Sequence, residues 1–284
     1  MDLLITAASA APLTGIDFTY TVAGLVTGLV VGITGVGGGA VMTPILILIL
    51  GVAPATAVAT DLWFAAITKL FGAGIHGVGK NIDWQVVRRL WAGSIPVAII
   101  TAILVAINAK PEKQTWLTTS IGVVILVTAI GMFLAPMLIK AAQSNRSENP
   151  AKFQHLQAPA TIASGGVVGG LVALTSVGAG ALGSVVMTAI YPFRMTPHRL
   201  VATDLVHAIP LAVVAGSGYI ITGLLTGIGI VVDPWMLLSM LIGSIPAIVI
   251  GSFVARGIKP RAIQLALAAV LLFVAVSAIF PLAG

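Results

Sequence analysis

Apolar runs of about 20 residues, each long enough to cross a hydrocarbon core of roughly 30 Å, alternate along this chain with short polar stretches. Ordinary runs cover about 54–78, 85–108 and 115–139, and then about 198–222, 233–255 and 261–281. Two more, about 19–50 and 160–191, are too long for one crossing and are interrupted by glycine. The first interruption reads "GITGVGGGAVMTP" from Gly32 to Pro44; the second lies in "LTSVGAGALGS", ending at Ser184. Each glycine costs a helix about 1 kcal/mol relative to alanine, so both long runs are expected to break there. The pattern predicts an all-α integral membrane protein.

The same landmarks occur twice and in the same order. "GLVVGITGVGGGAVMT" (Gly28 to Thr43) aligns without gaps on "GGLVALTSVGAGALGS" (Gly169 to Ser184), and "AVATDL" (Ala57 to Leu62) on "LVATDL" (Leu200 to Leu205). "GSIP" occurs at Gly93–Pro96 and at Gly243–Pro246, preceded by Asp83 and Trp84 in one case and by Asp233 and Trp235 in the other. Duplication explains this order. The expected division is a first repeat over 1–143, a cytoplasmic linker over 144–157 and a second repeat over 158–284. Each repeat is a glycine-broken helical hairpin plus three transmembrane helices.

Composition supports the membrane reading: 58% of the 284 residues are hydrophobic and 8% charged, too little polar surface for a water-soluble domain of this length. With no cysteine, disulfides, thiolate metal sites and thiol nucleophiles are excluded. No metal or other cofactor is expected. The start, "MDLLITAASAAP", has no basic n-region and is read as a mature terminus. A net charge of +6 raises the question of nucleic acid, but the basic residues lie between apolar runs, where membrane orientation explains them. If each broken run crosses once, the charges divide almost evenly. If each is a hairpin returning to its own side, Lys110 and Lys113 stand alone on one face, and every other Lys and Arg except Lys69 falls on the other. That bias favours hairpins, re-entrant or made of two short crossing helices, with both termini on the outer face of a cell inner membrane and the linker in the cytoplasm. A hairpin plus three spans has odd topology, so the second repeat enters the membrane inverted, as in many secondary transporters. The basic face is expected to meet anionic membrane lipids; no nucleic-acid partner is expected.

Backbone that leaves helical geometry at membrane depth needs a partner for its N–H and C=O groups. At the N-terminus of each second half-helix, free N–H groups and the helix dipole favour an anion, and glycine lets it approach. The candidate substrate contacts are therefore Gly37, Gly38, Gly39 and Ala40 in the first hairpin, and Gly178, Ala179 and Gly180 in the second; Thr60, Thr203 and Lys69 are expected to join them. The alternative is that these glycines serve close helix packing.

Ionisable groups at this depth are functional candidates. Asp61 and Asp204, following Thr60 and Thr203, are read as coupling residues that carry a proton, or bind sodium with the threonine hydroxyls; the alternative is that each caps a helix beginning near residue 58 or 201. Lys69, two turns beyond Asp61, either offers positive charge to an anion or extends to the basic surface. His76 is read as interfacial. His207, one turn after Asp204, is placed to hydrogen-bond it and share its proton. Asp83 and Asp233 are expected to cap their helices, and Pro96 and Pro246 to kink theirs.

"GVGGGAVMTPIL", "AVATDL" some 15 residues on, and His76 followed by "NIDW" (Asn81 to Trp84) resemble the TauE/SafE family of sulfite and organosulfonate exporters. The likeness spans nearly the whole chain and implies a small anionic substrate. This chain has Asp61 and Asp204 where the family often has a small hydroxyl residue, which implies a difference in substrate or coupling ion. The expected function is a secondary transporter for sulfite, an organosulfonate or a carboxylate, working by alternating access and coupled to protons. A passive anion channel or uniporter is the alternative. Paired membrane aspartates also raise an intramembrane protease, but "ATDL" differs from the "YD" and "GxGD" sequences of that class, and no Gly-x-Ser-x-Gly or "HExxH" is present. No enzymatic activity is expected.

Overall fold

The computed structural model describes residues 15–34, 39–75, 81–109, 114–147, 154–177, 180–191, 194–255 and 260–279. These form α1 (Phe18–Thr34), α2 (Gly39–Pro44) continued by a wider π-helical turn (Ile45–Ile49), α3 (Pro54–Ile75), α4 (Trp84–Asn108) and α5 (Gln114–Ser147). The second half repeats the series with α6 (Gln154–Thr175), α7 (Ala181–Ile190), α8 (Pro197–Thr226), α9 (Pro234–Ala255) and α10 (Pro260–Ile279). No strand occurs among the described residues. Four segments, Trp84–Asn108, His155–Thr175, His198–Thr226 and Pro234–Val254, are long and apolar enough to cross a membrane. Helices enter the polar stretch expected to be linker: α5 runs on to Ser147 and α6 starts at Gln154. An established helix propagates through such polar residues at little cost, since only nucleation is expensive.

Polar caps set several helix starts. Asp83 accepts from the Val86 N–H at the head of α4, and Asp233 accepts from the Trp235 and Met236 N–H groups at the head of α9, as expected for both. Thr196 caps α8 through the Arg199 N–H, with Pro197 in the first helical position. Pro96 and Pro246 lie within α4 and α9.

Helix pairing follows the duplication. α1 lies along α9, and α6 along α4; α3 packs on its equivalent α8, and α5 on its equivalent α10. The two long seams are made by glycine. Gly24, Gly28 and Gly32 of α1 press on the backbone of Met240, Ser244 and Ile248, while Gly165 and Gly169 of α6 press on Leu90 and Ser94. From the other side, Gly243 and Gly93, the first residues of the two "GSIP" stretches, face the carbonyls of Thr21 and Ile162. A methyl group at any of these positions would run into facing backbone. Lipid tails are as apolar as leucine, so membrane helices associate through such close van der Waals contact. Inside, residues from both halves, among them Val58, Leu62, Ala102, Ile125, Val172, Leu211 and Leu271, form one core. Ile100, Leu104, Phe133, Leu224, Phe253 and Phe273 point outward, as lipid-facing side chains do.

The two breaks are built differently. In the first, α1 stops at Thr34 and α2 starts at Gly39. Pro44 supplies no N–H, and the helix widens after it: the Leu50 N–H reaches back to Ile45 O and the Val52 N–H to Leu46 O. In the second, α6 ends in Ser176, whose φ of 60° is left-handed, a conformation that costs a non-glycine residue about 1–2 kcal/mol. Tyr219 of α8, fully buried, donates its hydroxyl to the Ala173 carbonyl at 2.8 Å, which supplies a partner near the end of α6, where carbonyls lose their helical donors.

Candidate functional site

Asp61 is the eighth residue of α3 and Asp204 the eighth of α8, each about 10 Å into its helix at 1.5 Å per residue. Neither caps a helix. The capping alternative fails because α3 and α8 begin a full turn earlier than it required, at Pro54 and Pro197, close to the starts of the apolar runs, where proline suits a first turn. Both carboxylates lie where α3 and α8, packed together, meet α2 and α7.

Around Asp61, which is fully buried, the groups are hydroxyls. Thr43 of α2 donates a short hydrogen bond to Asp61 Oδ2. Ser176, from the break in the other half, lies beside the same carboxylate, yet neither its hydroxyl nor Asp61 Oδ1 completes a hydrogen bond of good geometry. Thr60 Oγ1 is likewise buried and unpartnered. Among the described residues no cation pairs with Asp61.

Asp204 has a cation instead. Lys69, two turns beyond Asp61 on α3, puts its Nζ 3.5 Å from Asp204 Oδ2, with side-chain exposures of 9% and 12%. Lys69 is thus buried against the second half and does not extend to a surface. Its Nζ makes no hydrogen bond, and Asp204 Oδ1 has no partner; Gly183 of α7 lies against that oxygen. His207, fully buried, turns away from Asp204: Ser94 of α4 lies 3.0 Å from its Nε2, while Nδ1 is unpartnered. Trp91 fixes this turn of α8 by donating to the His207 carbonyl at 3.1 Å.

Thr203 has another task. Its hydroxyl accepts from the Asp83 N–H at 3.1 Å. Asp83 in turn holds Arg194 and Arg199 in ion pairs, and Arg194 also donates to Gln85. Arg89 reaches the Tyr191 hydroxyl at 3.0 Å, which also meets Thr161. This network ties the head of α4 to the segment between α7 and α8.

Of the residues expected to form the site, the structure gathers Thr60, Asp61, Lys69, Asp204 and His207 on α3 and α8 and gives Thr203 a structural partner. Gly39 opens α2 and Gly180 immediately precedes α7; Ala40 belongs to α2. Gly37, Gly38, Gly178, Ala179 and His76 lie outside the described residues. Sequence reasoning passed over Thr43, Ser94, Ser176 and Tyr219. The first three sit inside the duplicated stretches, and Tyr219 is a hydroxyl in the middle of an apolar run; those were the available signals. Among the described residues, no three His, Asp or Glu side chains gather to hold a metal ion.

Comparisons with known proteins agree with this architecture. The profile of the family described as sulfite exporter TauE/SafE matches residues 20–278. The chain is 36% identical over 252 residues to the "Probable membrane transporter protein YjnA" of Bacillus subtilis (strain 168), covering 88% of this chain and 94% of that one. No solved structure gives a match. From α1 to α10, then, this multi-pass membrane protein belongs to the sulfite exporter TauE/SafE family.

Proposed function

We propose that the protein is a secondary transporter for a small anion, sulfite or an organosulfonate or carboxylate, that works by alternating access between two inverted repeats and couples transport to protons. One observation carries the reading. Thr60 Oγ1, Asp61 Oδ1, Lys69 Nζ, Ser176 Oγ, Asp204 Oδ1 and His207 Nδ1 are all buried without a hydrogen-bond partner, and they come from helices of both halves. A buried unpaired polar group costs about 1–3 kcal/mol, and native proteins keep few of them. Such a concentration fits a cavity whose normal occupants are solvent, substrate and a coupling ion.

The α1–α9 and α4–α6 seams support the two-repeat reading, because each joins the first helix of one half to the fourth element of the other. The coupling residues in this reading are Asp61 and Asp204, assisted by His207, with Lys69 the positive charge for the anion. A channel has no need of a buried carboxylate–ammonium pair across its path, which favours the carrier. The printed names of the family and of the Bacillus relative point to transport and, for the family, to sulfite.

The test is uptake into proteoliposomes of sulfite, methanesulfonate, sulfate and lactate, offered in turn with and without an imposed pH gradient. Accumulation of a sulfur oxyanion that follows the gradient is the expected result. Flux that ignores the gradient converts the reading to a channel or uniporter, and absence of flux for every anion removes it.

A further inference from the structure

We infer that the Lys69–Asp204 pair is exchangeable: the transported anion takes the place of Asp204 on Lys69, and Asp204 takes up a proton from the side the anion came from. Anion and proton then bind together, one of each. This rests on the transporter reading above and assigns the coupling proton to one of its two aspartates.

Geometry is the first support. A pair that serves structure alone closes with good hydrogen bonds and satisfies the remaining oxygens and protons. Here the Lys69 ammonium, with three donors, stands 3.5 Å from Asp204 Oδ2 without a hydrogen bond, and Asp204 Oδ1 is unpartnered. Donor capacity is therefore left over. On the same helix as Asp204, His207 has Ser94 3.0 Å from its Nε2 and leaves Nδ1 unpartnered. The unused donors of Lys69 suit the oxygens of a small oxyanion.

Charge balance is the second. As it stands the pair is neutral. An anion X⁻ joining it would leave one unbalanced negative charge in a buried site, at a cost of several kcal/mol. Protonation of the displaced carboxylate removes that charge: Lys69⁺ with Asp204⁻, plus X⁻ and H⁺, becomes Lys69⁺ with X⁻ and a neutral Asp204. A dianion would leave the site charged, so the arrangement selects monoanionic oxyanions such as sulfonates and hydrogen sulfite over sulfate. Asp61 stands outside the exchange, since it has Thr43 as its partner and, among the described residues, no cation to be displaced from.

The groups facing Asp204 are few. α3 brings Lys69, while His207 of α8 itself is turned to Ser94. α4 brings Ser94 and, toward its head, Asp83, which is already neutralised by Arg194 and Arg199. α7 has no titratable side chain, and the one histidine of α6, His155, is exposed.

The experiment drives methanesulfonate, whose charge does not change with pH, into proteoliposomes and reads lumenal acidification beside anion uptake. Wild-type protein should carry about one proton per anion. In Asp204→Asn the ratio should fall at least tenfold while anion still enters; in Asp61→Asn, whatever flux survives should keep the wild-type ratio. Lys69→Met should abolish uptake. If that variant misfolds, Lys69→Met/Asp204→Met removes both charges together, and it should fold and fail to bind methanesulfonate. A wild-type ratio retained in Asp204→Asn, a ratio lost in Asp61→Asn, or uptake retained without Lys69 each overturns the exchange. Wild-type protein that moves sulfate as readily as methanesulfonate overturns the monoanionic selectivity. Wild-type protein that moves neither sulfite nor methanesulfonate defeats the transporter reading itself, a distinct outcome.

Discussion

The two halves share a frame and differ in charge. In the register that places Asp61 on Asp204, Lys69 falls on Ala212 and His207 on Phe64; in the register of the glycine stretches, Ser176 falls on Gly35 and Pro44 on Val185. What is common fixes geometry: a break, a second limb against the aspartate, and a glycine seam. What differs sets chemistry. The Asp61 side holds a carboxylate among hydroxyls, and the Asp204 side holds a carboxylate against an ammonium. Duplication delivers two equivalent positions at the meeting of α3 and α8, and divergence gives them different charge partners.

The comparison is most easily broken at what the halves share. Gly93→Leu and Gly243→Leu each force a side chain into the backbone of the facing helix, and both are expected to exceed the ~5 kcal/mol that marks exceptional destabilisation. Neither variant should be recoverable as a monodisperse species by size-exclusion chromatography. If one is tolerated and the other is not, the seams are not equivalent. Next comes the charge that the halves do not share. Lys69→Met leaves Asp204 buried and unpaired, at about 3–5 kcal/mol, and Lys69→Met/Asp204→Met should recover most of that. Thermal unfolding in detergent reads both, and a single variant as stable as wild type would mean that the pair is not buried. Asp83→Ala removes the cap of α4 and two ion pairs to partly exposed arginines; screening by solvent limits the loss to about 1–3 kcal/mol, measured in the same way. Smallest is Ser176→Gly, which relieves the left-handed residue and deletes an unpartnered hydroxyl. A gain of about 1 kcal/mol is expected, and a loss would show that this hydroxyl has a partner in the folded protein.

Helix positions were legible because the bilayer imposes a length, and glycine marks where the length is broken. The caps at Asp83 and Asp233 followed from local chemistry. Register on α3 put Asp61 and Lys69 on the same helix, two turns apart. What could not be read is which helix each would face: that Lys69 reaches across to Asp204, or that Ser176 from one half meets Asp61 of the other, depends on how α3 packs on α8. The spacing of Asp204 and His207 suggested a hydrogen bond, but the ring goes to Ser94 on α4, a partner far away in sequence. Thr203 looked equivalent to Thr60 until the head of α4 placed the Asp83 N–H against it.

A site between two halves that is reached from each face in turn is the central claim, and the absence of cysteine allows a direct measurement. Ser176→Cys, a near-isosteric change at the meeting of the halves, is placed in membrane vesicles of both orientations and treated with a membrane-impermeant thiol reagent, with and without sulfite. Labelling from either face, slowed by sulfite, is the predicted result. Labelling from one face alone, unaffected by sulfite, would contradict alternating access to this site.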